Sequence, residues 1–482
     1  MHQTKLIRQL AILNSAEWRK FLSMTRSSFY CSNTELASFI EVLHNFRDNW
    51  ESPQLEKHIF YEQFLPGSKF VARKLFDLRN AAVKLLEELW IRQNIEAREA
   101  RTALDLANTF AQKGLIKDFE SQGREVDSLI TSNNSENLLI SYQLEKLRDG
   151  LFGQQNTRLI DRSLQKRMDL LDEYYLIEKL RGSCEMLNRN RILQEPYELK
   201  LIGTLRNEIN QADYLEKPRI KLWQGVYNLL LQDEGQQPFN LLIEDFEANT
   251  SELSNREIKE IYAYAQNYCI RKANAGHEDW LLNLFELYKQ GLRKEILIEE
   301  NKVSESTFKN IVTVALRLKE FNWAKEFIEQ YTKLIPSNSR KNAATYNMAN
   351  YHYAMGKHEK AMVLLREVEF NDVFYDLGAK TMLLKIYFEE EEYELLKSIV
   401  AAFRIYLKRN KTISAAQKTA YRNLINLTLQ LASVKNKLAY QSKEKSENSI
   451  SRIRETLDAG KPIMNISWAK IKFKEVELKL KN

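Results

Sequence analysis

The chain has 482 residues, of which 44% are hydrophobic and 28% charged, and a net charge of +7, a composition typical of a folded globular protein. Only 14 glycines and 7 prolines occur, which excludes a turn-rich β protein and favours an all-α fold. The three cysteines, Cys31, Cys184 and Cys269, are too widely spaced for a disulfide framework or a zinc site. We therefore expect a cytoplasmic protein without a metal or other cofactor. No signal peptide or run of about 18 apolar residues is apparent, so no membrane association is expected.

Residues 1–95 are predicted to form an N-terminal helical module. Ser15 is expected to cap its first amphipathic helix, and Ser32 with Glu35 has the spacing of a capping box for the next one. Apolar residues at helical spacing then predict a long helix over residues 69–92.

Residues 96–304 are predicted to be degenerate helical hairpins. Residues 164–193 are predicted to form one or two long helices. Ser254 and Glu257 form a further capping-box spacing, which opens a hairpin immediately before the clearest repeats.

One helical-hairpin pattern occurs three times in residues 305–411. Equivalent apolar positions lie 37 and 35 residues apart, as in Ala324, Ala361 and Leu396. A period near 34 residues is typical of tetratricopeptide hairpins, which stack because a single hairpin cannot bury its apolar face alone. The predicted fold is thus an α-solenoid of tetratricopeptide-like helical hairpins, with the N-terminal module at one end and a capping helix at the other.

Residues 412–482 are predicted to close the array with basic capping helices. Residues 441–450 are polar enough for an exposed loop or a frayed helix end. Apolar residues that step by three or four favour a final amphipathic helix over a strand. These residues are Ile466, Ala469, Phe473, Val476 and Leu480, with Trp468 and Ile471 widening the stripe.

Several segments resemble a widespread group of uncharacterised bacterial tetratricopeptide-repeat-like (TPR-like) helical proteins. They are NYCIRKANAG (267–276), TFKNIVTVALRLKEFNWAKEFIEQY (307–331), VEFNDVFYDLGAKTMLLKIYFE (368–389) and FRIYLKRNKTIS (403–414). The opening residues 17–43 and the C-terminal tryptophan-bearing helix are similar to the same group, so the resemblance covers most of the chain. It implies a cytoplasmic helical-repeat protein and brings no established activity with it.

The function that we favour is a non-enzymatic scaffold that binds a protein or peptide in the concave groove of the three repeats. In TPR arrays the first helix of each hairpin lines that groove, where amides can bond a peptide backbone and aromatic rings can cover its side chains. The alternative is that these are ordinary surface residues or contacts to a neighbouring helix. The candidate groove comprises Lys309, Thr313, Tyr346, Asn347, Asn350, Tyr353, Thr381 and Lys385.

A carboxylate clamp of the kind that some TPR proteins use is not expected in this groove. Lys309 and Asn347 match two of the five clamp positions, but Thr313, Gly378 and Met382 occupy the other three.

The alternative function is association with nucleic acid through the basic C-terminal region. Residues 395–482 carry 19 Lys and Arg against 6 Asp and Glu, and such asymmetry favours polyanions, although a solvated helix face would look the same. Phe403, Tyr406 and Tyr421 are interleaved with the cations and could stack on bases. The candidate basic face comprises Arg404, Lys408, Arg409, Lys411, Lys418 and Arg422.

No motif in the sequence indicates catalysis. Nucleotide-binding loops and the zinc-protease motif are missing from the sequence, and no catalytic triad can be assembled, so no enzyme is expected. His352 occupies an apolar position of its repeat and is expected to pack in the core. The acidic run Glu389 to Glu392 is expected to be a solvated turn, with a cation site as the alternative.

Overall fold

The computed structural model is built from α-helices. It describes residues 1–131, 134–152, 163–193, 197–211, 213–231, 235–368, 373–437 and 443–481. Helices make up 79% of the chain, and no strand occurs among the described residues. The all-α class predicted from the low glycine and proline content is confirmed.

Within the described residues, 23 α-helices follow one another along the chain. They are α1 (Lys5–Leu10), α2 (Ser15–Arg26), α3 (Thr34–His44), α4 (Lys57–Phe64), α5 (Ala72–Glu96), α6 (Glu99–Gln112), α7 (Ile116–Leu129), α8 (Ser135–Phe152), α9 (Ser163–Leu193), α10 (Ile202–Gln211), α11 (Pro218–Leu231), α12 (Gln236–Ala248), α13 (Asn255–Asn274), α14 (Trp280–Arg293), α15 (Glu305–Arg317), α16 (Phe321–Tyr331), α17 (Arg340–Ala354), α18 (His358–Glu367), α19 (Val373–Glu389), α20 (Tyr393–Arg409), α21 (Ala415–Lys437), α22 (Lys443–Asp458) and α23 (Ile466–Lys481). Short 3-10 helices occupy Pro53–Leu55, Asp213–Glu216, Thr250–Glu252 and Thr332–Leu334.

These helices divide into two compact units. The first comprises Met1–Leu180 and Leu201–Ile220, and the second comprises Arg181–Lys200 and Lys221–Asn482. The finer division at residues 95, 304 and 411 stays a prediction from the sequence. No helix in the described part of the chain has both the length and the apolar content needed to cross a bilayer.

In the first unit, helices α1 to α5 surround an aromatic core. The ring of Phe39 is fully buried and meets the rings of Phe60 and Phe64 edge-on, with centroids 5.5 Å apart in both cases. Edge-to-face contacts of this kind are favourable because the positive ring edge faces the negative ring face. The long helix predicted over residues 69–92 is confirmed as α5, and the stretch over residues 164–193 as α9.

Asparagines, rather than the predicted serines, cap two helices of this unit. The side chain of Asn14 accepts hydrogen bonds from two amides of the first turn of α2, and Asn33 does the same for α3. The predictions of Ser15 and Ser32 as caps were therefore wrong by one residue. The reason is that asparagine and serine are about equally good caps, so that spacing alone cannot choose between neighbours.

In the second unit, successive helices pack as hairpins. Helix α13 packs on α14, α15 on α16, α17 on α18 and α19 on α20, and the first helices α15, α17 and α19 also contact one another in order. The short turns inside each pair require antiparallel neighbours. Ala324, Ala361 and Leu396, the equivalent positions of the three predicted repeats, are all buried. The capping box of Ser254 and Glu257 at the start of α13 is confirmed.

Helix α19 is enclosed on several sides, because α17, α18, α20 and α21 all contact it. Its apolar residues accordingly do not form a single stripe. Leu377 and Phe388 on one face are buried, and Ala379 and Ile386 on the opposite face are buried as well. Helix α19, the first helix of the third hairpin, therefore lies inside the unit. Parts of its length are covered and do not line an open surface.

Helices α21 to α23 form one apolar cluster with α20. Ala469, Phe473 and Val476 of α23 are buried in it, which confirms a C-terminal helix and not a strand. Ile471 is 56% exposed, so the apolar stripe is narrower than predicted. Helix α22 begins at Lys443, within the polar segment 441–450, and residues 441 and 442 lie outside the described residues.

Candidate functional site

Three residues of the candidate groove are buried. Tyr346, Asn347 and Thr381 are 5%, 0% and 6% exposed, respectively. The expectation that they face outwards for a partner is therefore wrong. The remaining five residues of the candidate groove are half-buried.

Two of the buried residues bond to their own helices. The Nδ2 group of Asn347 donates to the carbonyl oxygen of Ala343 at 2.8 Å, and the hydroxyl of Thr381 donates to the carbonyl oxygen of Leu377 at 2.7 Å. These bonds satisfy polar groups that would otherwise be costly to bury. Neither side chain can present those donors to a peptide.

The first helices α15, α17 and α19 are called the helix row from here on. Tyr346 on α17 packs inside this row, against residues of α15 and α19. Its ring lies 5.1 Å from that of Tyr375, and the Nζ atom of Lys309 lies 5.0 Å from its ring centroid. A Cβ atom on Gly378 would come within 2.2 Å of the Tyr346 hydroxyl oxygen, so only glycine leaves room for the ring. Burial raises the pKa of Tyr346 well above its usual value.

The structure brings Tyr353 and Lys385 together at the other end of the row. The Nζ atom of Lys385 lies 6.0 Å from the ring centroid of Tyr353 and 5.5 Å from that of Trp468 on α23. The same ammonium group donates to Oδ1 of Asn465 at 3.0 Å. Burial lowers the pKa of Lys385 to about 8, because removal from water disfavours the charged form.

Glu389 is the centre of the contact between α23 and the row. Its Oε1 atom accepts hydrogen bonds from Nε1 of Trp468 at 2.7 Å and from the hydroxyl of Tyr353 at 3.1 Å, and Nζ of Lys472 lies 3.3 Å away. Nε2 of His358 lies 3.4 Å from the other carboxylate oxygen. Charge-assisted bonds of this kind are the strong ones, so this carboxylate fixes the N-terminal half of α23.

Apolar packing and backbone bonds support the same contact. The ring of Trp468 meets that of the buried Phe388 edge-on, with centroids 5.6 Å apart. The loop before α23 is held to α21, because Nδ2 of Asn423 donates to the carbonyl oxygen of Pro462 at 2.8 Å. The chain's own C-terminal helix thus covers the α19 side of the candidate groove.

Glu390, Glu391 and Glu392 of the acidic run are exposed in the turn after α19, as expected, whereas Glu389 is half-buried. Glu391 pairs with Lys435 at 2.8 Å and Lys479 at 3.6 Å, and the hydrogen bond from Lys435, more than that from Lys479, lowers the pKa of the Glu391 carboxyl. Glu390 faces Nδ1 of His358. As for the alternative of a cation site, no group of three or more metal-ligating side chains occurs in the described part of the chain.

Glu389, Trp468 and Lys472 were not predicted as site residues. The local signals were present in the sequence: Glu389 stands one helical turn after Lys385, and Lys472 one turn after Trp468, so each pair shares a helix face. What the sequence lacks is any sign that these two faces meet.

His352 is half-buried and is not part of the core that was expected to hold it. Its ring lies 5.4 Å from that of the adjacent Tyr351. Burial, assisted by Lys360 and Lys357, lowers its pKa, which favours the neutral ring.

A cleft of about 500 Å³ opens next to His358, between α18 and the turn from α19 to α20.

The part of the candidate groove that remains accessible lies on α15 and α17. Thr313 and Asn350 are half-buried there. The Thr313 hydroxyl donates to the carbonyl oxygen of Lys309 at 2.8 Å, which leaves its oxygen free to accept. Arg317 lies one turn further along α15 and pairs with Glu278 at 3.1 Å.

The basic face is exposed, with Lys418 half-buried and its other five residues open to solvent. The aromatic residues between its cations are used by the fold. Phe403 is fully buried, Tyr421 lies against it with ring centroids 5.6 Å apart, and the hydroxyl of Tyr406 accepts a bond from Asn410 at 3.2 Å. Phe403 therefore has no free ring face on which a base could stack, contrary to the expectation.

No family model matches the chain, and neither a curated protein nor a solved structure matches it. The function is therefore argued from the geometry of the described residues alone.

Proposed function

We propose that the chain is a non-enzymatic scaffold that binds a segment of a partner protein along the first helices of a TPR-like α-solenoid. The supporting framework is the series α15, α17 and α19, each followed by its hairpin partner and each in contact with the next first helix. The proposal includes the cytoplasmic location and the TPR-like repeats that the resemblance implies.

The observation that carries the proposal is the docking of α23. An amphipathic helix lies against the row and is held by Trp468 and Lys472, which both meet Glu389, the carboxylate that also accepts a hydrogen bond from Tyr353. Helix-in-groove recognition uses such anchors one turn apart. The row thus already binds one helix of this chain, by the type of contact that a partner helix would make.

The partner chemistry follows from what surrounds the accessible part of the row. Thr313 and Asn350 offer a hydroxyl and an amide for backbone groups, and Lys309 and Arg317 are the nearby cations on α15. A segment with acidic side chains fits this set, since opposite charges across an interface favour the correct partner.

The test blocks the accessible part of the helix row with larger, charged side chains. Tagged protein would be purified from its own host with nuclease present, as wild type and as the double variant Thr313→Glu with Asn350→Glu. The control, Asn322→Glu with Val363→Glu, adds the same charge at exposed positions on the second helices α16 and α18. Co-purifying proteins would be quantified by mass spectrometry.

We expect a stoichiometric partner with the wild type and the control, and a loss of about tenfold or more with the groove variant, since about 1.4 kcal/mol suffices for that change. Equal recovery with both double variants would contradict the proposal. Circular dichroism and urea unfolding of all three proteins would separate loss of binding from loss of fold.

A further inference from the structure

The basic face consists of two rows of cations on packed helices. Arg404 and Lys408 are one turn apart on α20, and Lys418 and Arg422 are one turn apart on α21, so each pair shares a helix face. Nη2 of Arg404 donates to Oδ1 of Asn426 at 2.8 Å. Because Asn426 lies one turn beyond Arg422, this bond shows that the two rows lie side by side.

These cations are almost entirely unpaired. Apart from the bond from Arg404 to Asn426, none of the six residues of the basic face bonds to a carboxylate or to another side chain in the described part of the chain. Lys397, earlier on α20, differs because it pairs with Glu394 at 2.8 Å. Residues 395–434 contain no acidic residue at all, so like charges accumulate here without compensation.

The loop before α23 extends the same surface. Pro462 is bonded through its carbonyl oxygen to Asn423, the neighbour of Arg422. Lys461, immediately before Pro462, is exposed. A seventh cation is therefore held close to the α21 row by a defined backbone contact.

The chemistry of this surface is suited to phosphates and not to bases. Phe403 is buried, and Tyr406 and Tyr421 are half-buried, so none of these three rings is a fully exposed stacking platform of the kind on which single-stranded nucleic acids are bound. What remains is a set of positive charges that can neutralise a phosphate backbone and release its counterions.

We propose that the basic face binds the phosphate backbone of double-stranded nucleic acid without reading its sequence. Packed helices lie about 8 to 10 Å apart, and the major groove of B-DNA is about 12 Å wide. The long, flexible side chains of Arg and Lys can span the difference, so the two rows can contact phosphates on either side of that groove. This function is additional to the scaffold proposal and does not depend on the groove.

The test uses the purified full chain and a short fluorescent DNA duplex, with binding followed by fluorescence anisotropy between about 50 and 200 mM salt. Five phosphate contacts would give a slope of about −4.5 for the logarithm of the binding constant against that of the salt concentration. A duplex RNA and a single-stranded DNA of the same length serve as additional probes.

The decisive variant is Lys408→Gln, Lys411→Gln and Arg422→Gln. We expect it to bind at least about tenfold more weakly and with a slope shallower by about 2.7, since each lost contact removes about 0.9. The matched control is Lys319→Gln, Lys333→Gln and Lys341→Gln, which removes three exposed charges elsewhere in the same unit. This control is expected to bind like the wild type.

Three results would overturn the proposal. The first is equal weakening by both triple variants, which would reflect net charge alone. The second is tighter binding of the single strand than of the duplex. The third is an absence of duplex binding even at about 50 mM salt; if vesicles that contain phosphatidylserine are then bound, the surface would be assigned to anionic lipid. All three are independent of the partner pull-down, so the two proposals fail separately.

Discussion

Lys385 shows how one side chain is adapted to the contact between α19 and α23. Its ammonium group is half-buried, bonds to Asn465 and lies against the rings of Tyr353 and Trp468. Removal from water destabilises the charged form by more than these contacts and Glu389 restore, and the pKa falls to about 8. About half of the Lys385 side chains are therefore uncharged at a pH of about 8.

This pKa predicts a pH dependence of stability. The folded-state pKa of about 8 lies below the ordinary value of 10.5, so the unfolded chain binds more protons between these two pH values and stability rises with pH across that window. We expect the wild type to gain roughly 2 kcal/mol relative to Lys385→Met between about pH 8 and 10, given about 1.4 kcal/mol for each pKa unit.

The measurement is urea unfolding of both proteins across this pH range. Tyrosine ionisation affects both chains alike and cancels in the difference. Stability curves that stay parallel from neutral to alkaline pH would show that Lys385 keeps an ordinary pKa.

At this scale, the sequence predicted which residues lie on first helices but not which of them are accessible. Helical periodicity places Tyr346, Thr381 and Lys385 on one face of their helices. Whether that face is open depends on Tyr375 and Trp468, and their contacts join residues 29 to 83 positions apart. Nothing in the local pattern encodes such pairings.

At the scale of elements, α23 is held by few residues. Trp468 contributes an apolar contact with Phe388 and a hydrogen bond to Glu389, whereas Ile471 on the same helix is exposed. We expect Trp468→Ala to lower the free energy of unfolding by about 2 to 4 kcal/mol, because truncation of a large, partly buried ring removes both packing and transfer energy. Ile471→Ala should change it by less than about 0.5 kcal/mol.

Hydrogen exchange provides the local readout for this pair of variants. Amides of α23 should exchange faster in Trp468→Ala than in the wild type, while those of α15 and α16 keep their protection. Equal exchange in the two variants would mean that the helix is anchored elsewhere.

The elements themselves were largely predictable. Steps of three and four between apolar residues identified α23 as a helix, and long apolar stripes located α5 and α9. The caps of α2 and α3 were misplaced, because Asn14 and Asn33 compete with adjacent serines of similar capping strength.

At the scale of the whole molecule, the repeat period predicted which hairpins pack together but not which helix surfaces stay exposed. A period near 34 residues indicates that each hairpin packs on the next, and the contacts from α15 to α20 follow that order. The period contains no information on α21 and α23, which both contact α19. Glu389 at the end of α19 holds α23 in place, while Glu390, Glu391 and Glu392 form the exposed turn that was expected.

The two proposals assign different surfaces of the second unit to different partners. The accessible row on α15 and α17 is polar and suited to an acidic protein segment, and the basic face on α20 and α21 is suited to phosphates. Neither assignment requires a catalytic group.

The most direct test of the central claim is photocrosslinking in the host cell, with a benzophenone amino acid at Thr313 in one protein and at Asn322 in another. Both positions lie in the same hairpin, on α15 and α16 respectively. We predict a discrete protein adduct from position 313 that survives nuclease treatment and is missing from position 322. Adducts of equal yield from both positions, or an adduct from position 322 alone, would contradict partner binding along the first helices.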